Sequence, residues 1–348
     1  MVSKLCAPLF TPFRTALGQH DSLDNLLLVL ELPDGTRGYG EAAVASHITG
    51  ETISQTEKNL KSAGLWLEGR DIFDYLKISS QLHERLADNK SALAAAETAI
   101  FDLLSRYLKI PLWRLFGKKP QRLATDITIV ISDLAQTETA ALKFYSQGFR
   151  AFKIKIGRDR DLDYKRVLRV KKIVKGSAIY LDANQGYSAS ETLSFLRSLK
   201  RAGINPLLIE QPVPKTDWEG LKKVTRESSV LVCADESVGS VKECLKAIRE
   251  KAVDVINIKL MKSGMVQARE IAFLAKSAGL EIMIGGMMES SLAMTASAHL
   301  ACGLGGVRFV DLDTPFFIKN GLKGNPFLNS RGIYDLAKVK FGIGIVPE

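Results

Sequence analysis

The chain has 348 residues and a mass of 38.2 kDa, which suggests about two domains, although a single α/β barrel can exceed the average domain length. Hydrophobic residues make up 46% and charged residues 25%, and these globular values exclude a wholly disordered chain. The net charge is +10, but the basic residues are dispersed and do not alternate with aromatic ones, so we expect no nucleic-acid partner.

The cysteines and apolar runs indicate a cytoplasmic protein with no membrane partner. The four cysteines are scattered and form no CxxC pair, which argues against a disulfide framework or a zinc site. Pro8 and Pro12 interrupt any signal-peptide core, and the apolar runs fall far short of the roughly 18 residues that span a bilayer.

The first third of the chain predicts a small α+β domain. Apolar residues dominate Asn25–Leu32, the segment Pro33–Gly35 is a hairpin signal, and Thr36–Ala42 is the return strand. The pattern then becomes helical from Glu51 to about Tyr107.

After Pro120 short apolar strands alternate with helical segments. The predicted helices include Ala189–Ala202, Trp218–Arg226, Val241–Lys251 and Val266–Ala278. Eight strands are predicted: Ile127–Ile131, Phe152–Ile156, Ile179–Leu181, Leu207–Ile209, Val230–Cys233, Val253–Ile258, Ile282–Ile284 and Val307–Val310.

Polar residues close most of these strands at intervals of 24 to 28 residues, which favours a (β/α)8-type barrel with a site at the strand ends. The rival fold, an open doubly wound sheet, lacks a glycine-rich phosphate loop here. From Thr314 to Glu348 no further βα unit follows. We expect strand-like pieces at Val339–Phe341 and Ile343–Val346 that return to the N-terminal domain.

The strand ends carry a set of charged residues that suits proton transfer beside a metal. Asp182, Glu210 and Asp235 close three successive strands, and like charges that close together require a cation, most simply Mg²⁺. Glu236 could replace Asp235 as a ligand. Lys153 and Lys155 lie on the same face of the second strand, so both side chains would point into the barrel.

Lys259 closes the sixth strand and therefore lies opposite Lys155 in an eight-membered ring. Two lysines so placed can remove a proton from one face of a carbon and return one to the other face.

Taken together, these motifs resemble the enolase superfamily and, within it, the muconate-lactonising subgroup. The resemblance covers nearly the whole chain. It includes Gly38–Ala42, Ala94–Leu104, Phe116–Lys119, Lys153–Lys155, Leu181–Gly186, Glu210–Pro212, Ala234–Ser237 and Asn257–Gly264.

The resemblance implies a modified TIM barrel, (β/α)7β, in residues 120–313. An α+β capping domain would form from residues 1–119 and from the returning segment 314–348. It implies that Asp182, Glu210 and Asp235 bind Mg²⁺, and that Lys155 and Lys259 are the acid/base pair. Lys153 would hold the substrate carboxylate. Subgroup barrels often assemble into homo-oligomers, but no sequence feature here identifies an interface.

Within the subgroup, Asp311 and Asp313 resemble the DxD motif with which dipeptide epimerases bind the substrate α-ammonium. The resemblance thus implies a dipeptide epimerase, an isomerase, with L-Ala-D/L-Glu as the default substrate. The alternative enzymes are an N-acylamino acid racemase and a cycloisomerase of the same superfamily. The non-enzymatic alternative is a basic binding protein, which would leave the three acids and two opposed lysines unexplained. Substrate contact is also expected from Thr128, with Asn184, Gly286, Met287, Arg14 and His20 as further candidates.

The substrate side chain is less well specified. Ala-Glu epimerases tend to carry a basic residue in the first cap loop, and Gly18 occupies that position here. Arg14 or His20 could substitute for it, so a non-acidic side-chain preference stays open.

Overall fold

The computed structural model describes residues 1–117 and 122–347, apart from the side chains of residues 47 and 48. The N-terminal unit is an antiparallel sheet of three strands, in the order β1-β2-β3, covered by helices. Its elements are β1 (Val2–Arg14), β2 (Gln19–Glu31), β3 (Arg37–Ala42), α1 (Ser46–Thr49), α2 (Ile53–Leu67), α3 (Tyr75–Arg85) and α4 (Lys90–Tyr107).

The glycines of β3 allow α4 to pack closely on the sheet. A Cβ atom at Gly38 would lie 2.3 Å from the carbonyl oxygen of Ala99, and one at Gly40 would lie 1.9 Å from that of Ala95. Only glycine tolerates such an approach of two backbones. The glycines of β3 therefore pack directly against the alanine-rich stretch of α4.

The second unit is a parallel sheet whose eight strands follow chain order and alternate with seven helices in the described residues. Its strands are β5 (Ile127–Ile129), β6 (Ala151–Lys155), β7 (Ala178–Asp182), β8 (Leu208–Glu210), β9 (Leu231–Ala234), β10 (Val255–Ile258), β11 (Glu281–Ile284) and β12 (Phe309–Val310). Its helices are α5 (Leu134–Gln147), α6 (Arg160–Ile173), α7 (Ala189–Arg201), α8 (Trp218–Glu227), α9 (Val241–Glu250), α10 (Leu260–Ser277) and α11 (Ser291–Leu304).

The first and last strands meet, because the amide of Asp126 donates to the carbonyl oxygen of Val310 at 2.9 Å. The doubly wound alternative is thereby excluded, and the predicted (β/α)7β barrel with its α+β cap is confirmed. The spacing alone predicted a (β/α)8-type barrel. The eighth strand is instead followed by a single 3-10 turn, Thr314–Phe316.

The barrel interior has an apolar floor beneath a charged layer. The floor is a cluster of inward-facing residues: Tyr180, Leu208, Cys233, Val255, Met283 and Phe309. Because side chains alternate along a strand, the residue two positions further on faces inward one layer higher. On β7 and β8 that step places Asp182 above Tyr180 and Glu210 above Leu208.

The C-terminal segment contacts both units. The short strands β4 (Leu123–Ala124) and β13 (Ile333–Tyr334) pair with each other, and the amide of Ile343 donates to Asp102 of α4 at 2.6 Å. The predicted strand-like pieces at Val339–Phe341 and Ile343–Val346 are wrong, because no strand occupies them. Gly342 and Gly344 have φ of 62° and 84°, which interrupts an extended chain.

Three boundaries bear on the remaining predictions. The limit between cap and barrel at 119/120 lies outside the described residues, and the limit at 313/314 stays a prediction. Helix α10 begins at Leu260, earlier than the predicted Val266, and is kinked at Gly264, where φ is 69°.

Among the described helices, none combines the length and apolar character that crossing a bilayer requires.

His299 in α11 provides a test of this packing. Its Nδ1 accepts the amide hydrogen of Trp113 at 3.1 Å, so the neutral ring donates from Nε2 to the carbonyl oxygen of Ile343 at 3.1 Å. Burial lowers the pKa of His299 from 6.5 to about 3. The unfolded chain therefore takes up a proton at His299 at a pH where the folded chain does not.

We expect the free energy of unfolding to fall as the pH drops from about 6.5 towards about 3, and His299→Gln to remove this part of the dependence. Urea unfolding of wild type and variant across that range measures it. A stability difference between the two proteins that stays constant with pH would contradict the assignment.

Candidate active site

The charged layer lies at the C-terminal ends of the barrel strands, where parallel strands in register bring successive residues side by side. Lys155 is the register partner of Asp182, and Asp182 is that of Glu210. Asp182 and Glu210 are fully buried, and Asp235 is 2% exposed. The structure thus brings the three predicted acids together at one end of the barrel.

Lys153 is the centre of this layer and is only 1% exposed. Its Nζ lies 2.9 Å from Asp182 Oδ2, 2.7 Å from Glu210 Oε2 and 2.7 Å from Asp311 Oδ2. Burial opposes the charge on Lys153, but the surrounding carboxylates hold its pKa well above the ordinary value. Lys153 is therefore a fixed cation.

The two predicted acid/base lysines approach from opposite sides of the barrel. Lys155 Nζ donates to Asp182 Oδ2 at 2.6 Å, and Lys259 Nζ donates to Asp235 Oδ2 at 2.6 Å. Lys155 ends β6 and Lys259 follows β10, and these strands are four positions apart in the barrel. Burial opposes the charge of Lys259, yet Asp235 and then Glu210 raise its pKa.

Lys262 is a further lysine of the site that the sequence pattern did not single out. Its Nζ donates to Asp235 Oδ1 at 2.9 Å and to the carbonyl oxygen of Asn257 at 2.7 Å. The signal for it is local, since a residue three positions after Lys259 lies on the same side of the first turn of α10.

The acids suit a hard divalent cation. Burial and the neighbouring Asp182 carboxylate raise the pKa of Glu210 to about 7, whereas Lys153 and Lys155 overcome the effect of burial on Asp182 and hold its pKa at about 2. Both carboxylate oxygens of Glu236 are buried with no hydrogen-bond partner among the described residues. An all-oxygen set of buried, mutually repelling carboxylates is the donor chemistry that Mg²⁺ prefers.

A cavity opens above the charged layer, between barrel and cap. Asp235 and Glu236 both line it, so the geometry leaves either as the third ligand. Arg14 is not among the residues that line the cavity. Its guanidinium instead donates to Gln19 Oε1 at 2.6 Å. Predicted residues that do line it are His20, Thr128, Lys155, Asn184, Lys259, Gly286, Met287, Asp311 and Asp313. Apolar side chains in its wall are Phe13, Met287, Met288 and Met294.

A second group of acids lies on the far side of Lys153. One oxygen each of Asp126, Asp311 and Asp313 falls within 4.8 Å of the others, and all three residues are buried. The amide of Thr128 donates to Asp313 Oδ2 at 2.6 Å. Asp126 was missed from the sequence, although it lies two residues before Thr128 and therefore shares its face of β5.

Two buried acids of the cap hold the loops that carry the site. Glu41 accepts hydrogen bonds from Asn25 Nδ2 at 2.6 Å and from the amide of Ser290 at 2.8 Å. Glu97 accepts from the amides of Met265 and Val266 at 2.5 and 3.0 Å, just after the kink in α10. The cap is thus tied to α10, just after its kink, and to the loop that follows β11.

Two family models match the chain. The mandelate racemase / muconate lactonizing enzyme, N-terminal domain, matches residues 2–117, and the Enolase C-terminal domain-like model matches residues 136–348. The chain is 50% identical to a hydrophobic dipeptide epimerase of Citrifermentans bemidjiense, and the alignment covers 100% of this chain and 97% of that protein.

Solved structures are similar over the same extent. The substrate-liganded L-Ala-D/L-Glu epimerase of Bacillus subtilis superposes with a TM-score of 0.96 at 32% identity, covering 99% of this chain and 97% of that one. A dipeptide epimerase of Enterococcus faecalis V583, complexed with Mg and the dipeptide L-Leu-L-Tyr, gives 0.93 at 31% identity, covering 99% and 98%.

Proposed function

This chain belongs to the mandelate racemase/muconate lactonizing enzyme family of the enolase superfamily, and we propose that it is a Mg²⁺-dependent dipeptide epimerase. The reaction is inversion of the α-carbon of the C-terminal residue, which interconverts L,L- and L,D-dipeptides. Asp182, Glu210 and either Asp235 or Glu236 would hold the metal ion.

The observation that carries the proposal is the pair Asp311 and Asp313 beside Lys153. An amine-binding pair of carboxylates next to a carboxylate-binding cation suits a small molecule with an ammonium at one end and a carboxylate at the other. N-acylated amino acids and cycloisomerase substrates have no free ammonium and would leave the two aspartates without a role.

Bound to these residues, the dipeptide would lie across the barrel mouth. Lys153, which keeps its proton, would bind the substrate carboxylate, while Asp311 and Asp313 bind the α-ammonium. The α-carbon of the second residue would then lie between Lys155 and Lys259, one on each face. Mg²⁺, when bound, supplies positive charge that favours the negative charge developing on the substrate carboxylate.

The cavity wall supports an apolar side chain on the substrate. Its hydrophobic members are Phe13, Met287, Met288 and Met294, and Gly18 brings no charge to the first cap loop. Lys155 and Lys259 also line the cavity, but in this proposal they act on the α-carbon, which leaves His20 as the basic residue for a glutamate side chain. Burial of that side chain is therefore costly. We therefore propose hydrophobic dipeptides, rather than L-Ala-D/L-Glu, as the preferred substrates.

Lysine substitutions test the two-base arrangement. In D₂O with Mg²⁺, Lys155→Ala and Lys259→Ala are each expected to slow epimerisation by at least about 100-fold, because one face of the α-carbon loses its acid or base. Each variant retains α-proton exchange of one epimer only, and the two variants retain opposite epimers. Mass spectrometry and chiral separation measure both quantities.

Lys223→Ala, which removes an exposed lysine on α8, serves as the matched control and retains both activities. Epimerisation at wild-type rates in Lys259→Ala would contradict the two-base assignment.

Metal binding is tested without an assay of activity. Mg²⁺ at about 100 times its dissociation constant stabilises a single-site protein by about 2.7 kcal/mol, so the melting temperature of wild type rises. Asp182→Asn and Glu210→Gln lose this rise, whereas Glu219→Gln, on the exposed face of α8, keeps it. An undiminished rise in the first two variants would place the metal elsewhere.

Substrate preference is tested by competition among L-Ala-L-X dipeptides. We expect dipeptides with X as Leu, Phe or Tyr to exceed L-Ala-L-Glu by about tenfold or more in kcat/KM, because an unpaired buried carboxylate is strongly disfavoured. Deuterium incorporation at the α-carbon ranks all members in one reaction. If L-Ala-L-Glu reacts fastest, the apolar preference is wrong.

A further inference from the structure

We propose that Asp126 is a positioning residue of the ammonium subsite, the site formed by Asp311 and Asp313. In this proposal the carboxyl group of Asp126 is protonated and donates a hydrogen bond to Asp311. This inference rests on the proposed function, since it concerns how Asp311 and Asp313 bind the dipeptide ammonium. Asp126 itself does not touch the substrate.

The position of Asp126 fixes which way its side chain faces. It immediately precedes β5, and its amide donates to the carbonyl oxygen of Val310 at the junction of the first and last strands. It is 1% exposed, and an oxygen of its carboxyl group lies within 4.8 Å of oxygens of Asp311 and Asp313. Its carboxyl group is therefore in the barrel interior, adjacent to the pair.

The hydrogen bonds of the three acids are unequal. Asp311 Oδ2 accepts from Lys153 Nζ at 2.7 Å, and Asp313 Oδ2 accepts from the amide of Thr128 at 2.6 Å. Neither oxygen of Asp126 meets a donor among the described residues. A buried carboxylate without donors is costly, whereas a protonated one can itself donate to its neighbour.

The electrostatics agree with this geometry. Burial first, and then the charges of Asp311 and Asp313, raise the pKa of Asp126 well above its ordinary value, against the opposing effect of Lys153. Burial and the charge of Asp311 also raise the pKa of Asp313, to about 7, while hydrogen bonds from Thr128 lower it. Three ionised carboxylates in so small and dry a space would repel one another strongly.

The proton also lowers the negative charge beside the proposed ammonium site. With Asp126 neutral, Asp311 and Asp313 carry two negative charges there instead of three. Lys153 cannot neutralise a third, because its ammonium is already shared among Asp311, Asp182 and Glu210. The hydrogen bond from Asp126 also fixes the rotation of Asp311, which preorganises the oxygen that faces the substrate.

The test compares Asp126→Ala with Asp126→Asn, whose neutral amide keeps a donor in nearly the same shape. Asp126→Ala is expected to raise the KM for an L-Ala-L-Leu dipeptide by about tenfold to a hundredfold, with a smaller change in kcat, because a hydrogen bond to a charged acceptor is lost. Asp126→Asn is expected to restore most of that loss. Asp88→Asn, at an exposed position, is the matched control.

A binding experiment separates positioning from general damage. Calorimetry compares L-Ala-L-Leu with its des-amino analogue, N-propionyl-L-leucine, in the presence of Mg²⁺. Asp126→Ala should weaken binding of the dipeptide and leave that of the analogue unchanged. Equal weakening of both ligands would mean that Asp126 is only structural. A loss as large in Asp126→Asn as in Asp126→Ala would mean that Asp126 acts as a carboxylate.

The proton can be observed without any substrate. The infrared difference between wild type and Asp126→Asn should contain the C=O band of a protonated carboxyl group in the wild-type protein. A carboxylate band in its place would overturn the inference. This readout stays valid if the protein fails to epimerise dipeptides, so the failure of the proposed function and the failure of this inference are distinguishable.

Discussion

The buried ammonium of Lys153 is the interaction on which the site depends. Three carboxylates at the ends of three different strands lie within 2.9 Å of it, so its charge holds together groups that would otherwise repel one another. Removing that charge would leave Asp182, Glu210 and Asp311 buried without their shared partner. The same contacts place Lys153 between Asp182 and Glu210, which we propose bind the metal, and Asp311, which we propose binds the ammonium.

The cap makes this charged layer usable by excluding water from it. Glu41 and Glu97 are fully or almost fully buried. Glu41 accepts a backbone amide of the loop after β11, which carries Met287, and Glu97 accepts amides of α10, the helix that follows Lys259. Burial strengthens each electrostatic contact of the charged layer. The packing of cap on barrel is thus part of the chemistry.

Much of this could be predicted from the sequence, because strand alternation and regular spacing encode a barrel directly. Lys153 and Lys155 point inward for the reason that Phe152 and Ile154 point outward. The predictions that failed concern segments without such a regular repeat. Gly342 and Gly344 break an apolar pattern that otherwise favours strands, and Arg14 turns to Gln19 instead of the cavity. Asp126 lies two residues before Thr128 and Lys262 three residues after Lys259, but their proximity to Asp311 and Asp235 depends on strands distant in the chain.

A crystal structure of the protein with Mg²⁺ and an L-Ala-L-Leu dipeptide tests the proposed function most directly. We expect the α-ammonium between Asp311 and Asp313 and the dipeptide carboxylate at Lys153. We also expect the second α-carbon between the Nζ atoms of Lys155 and Lys259. A dipeptide bound in the reverse direction, or with both lysines on one face of that carbon, would contradict it.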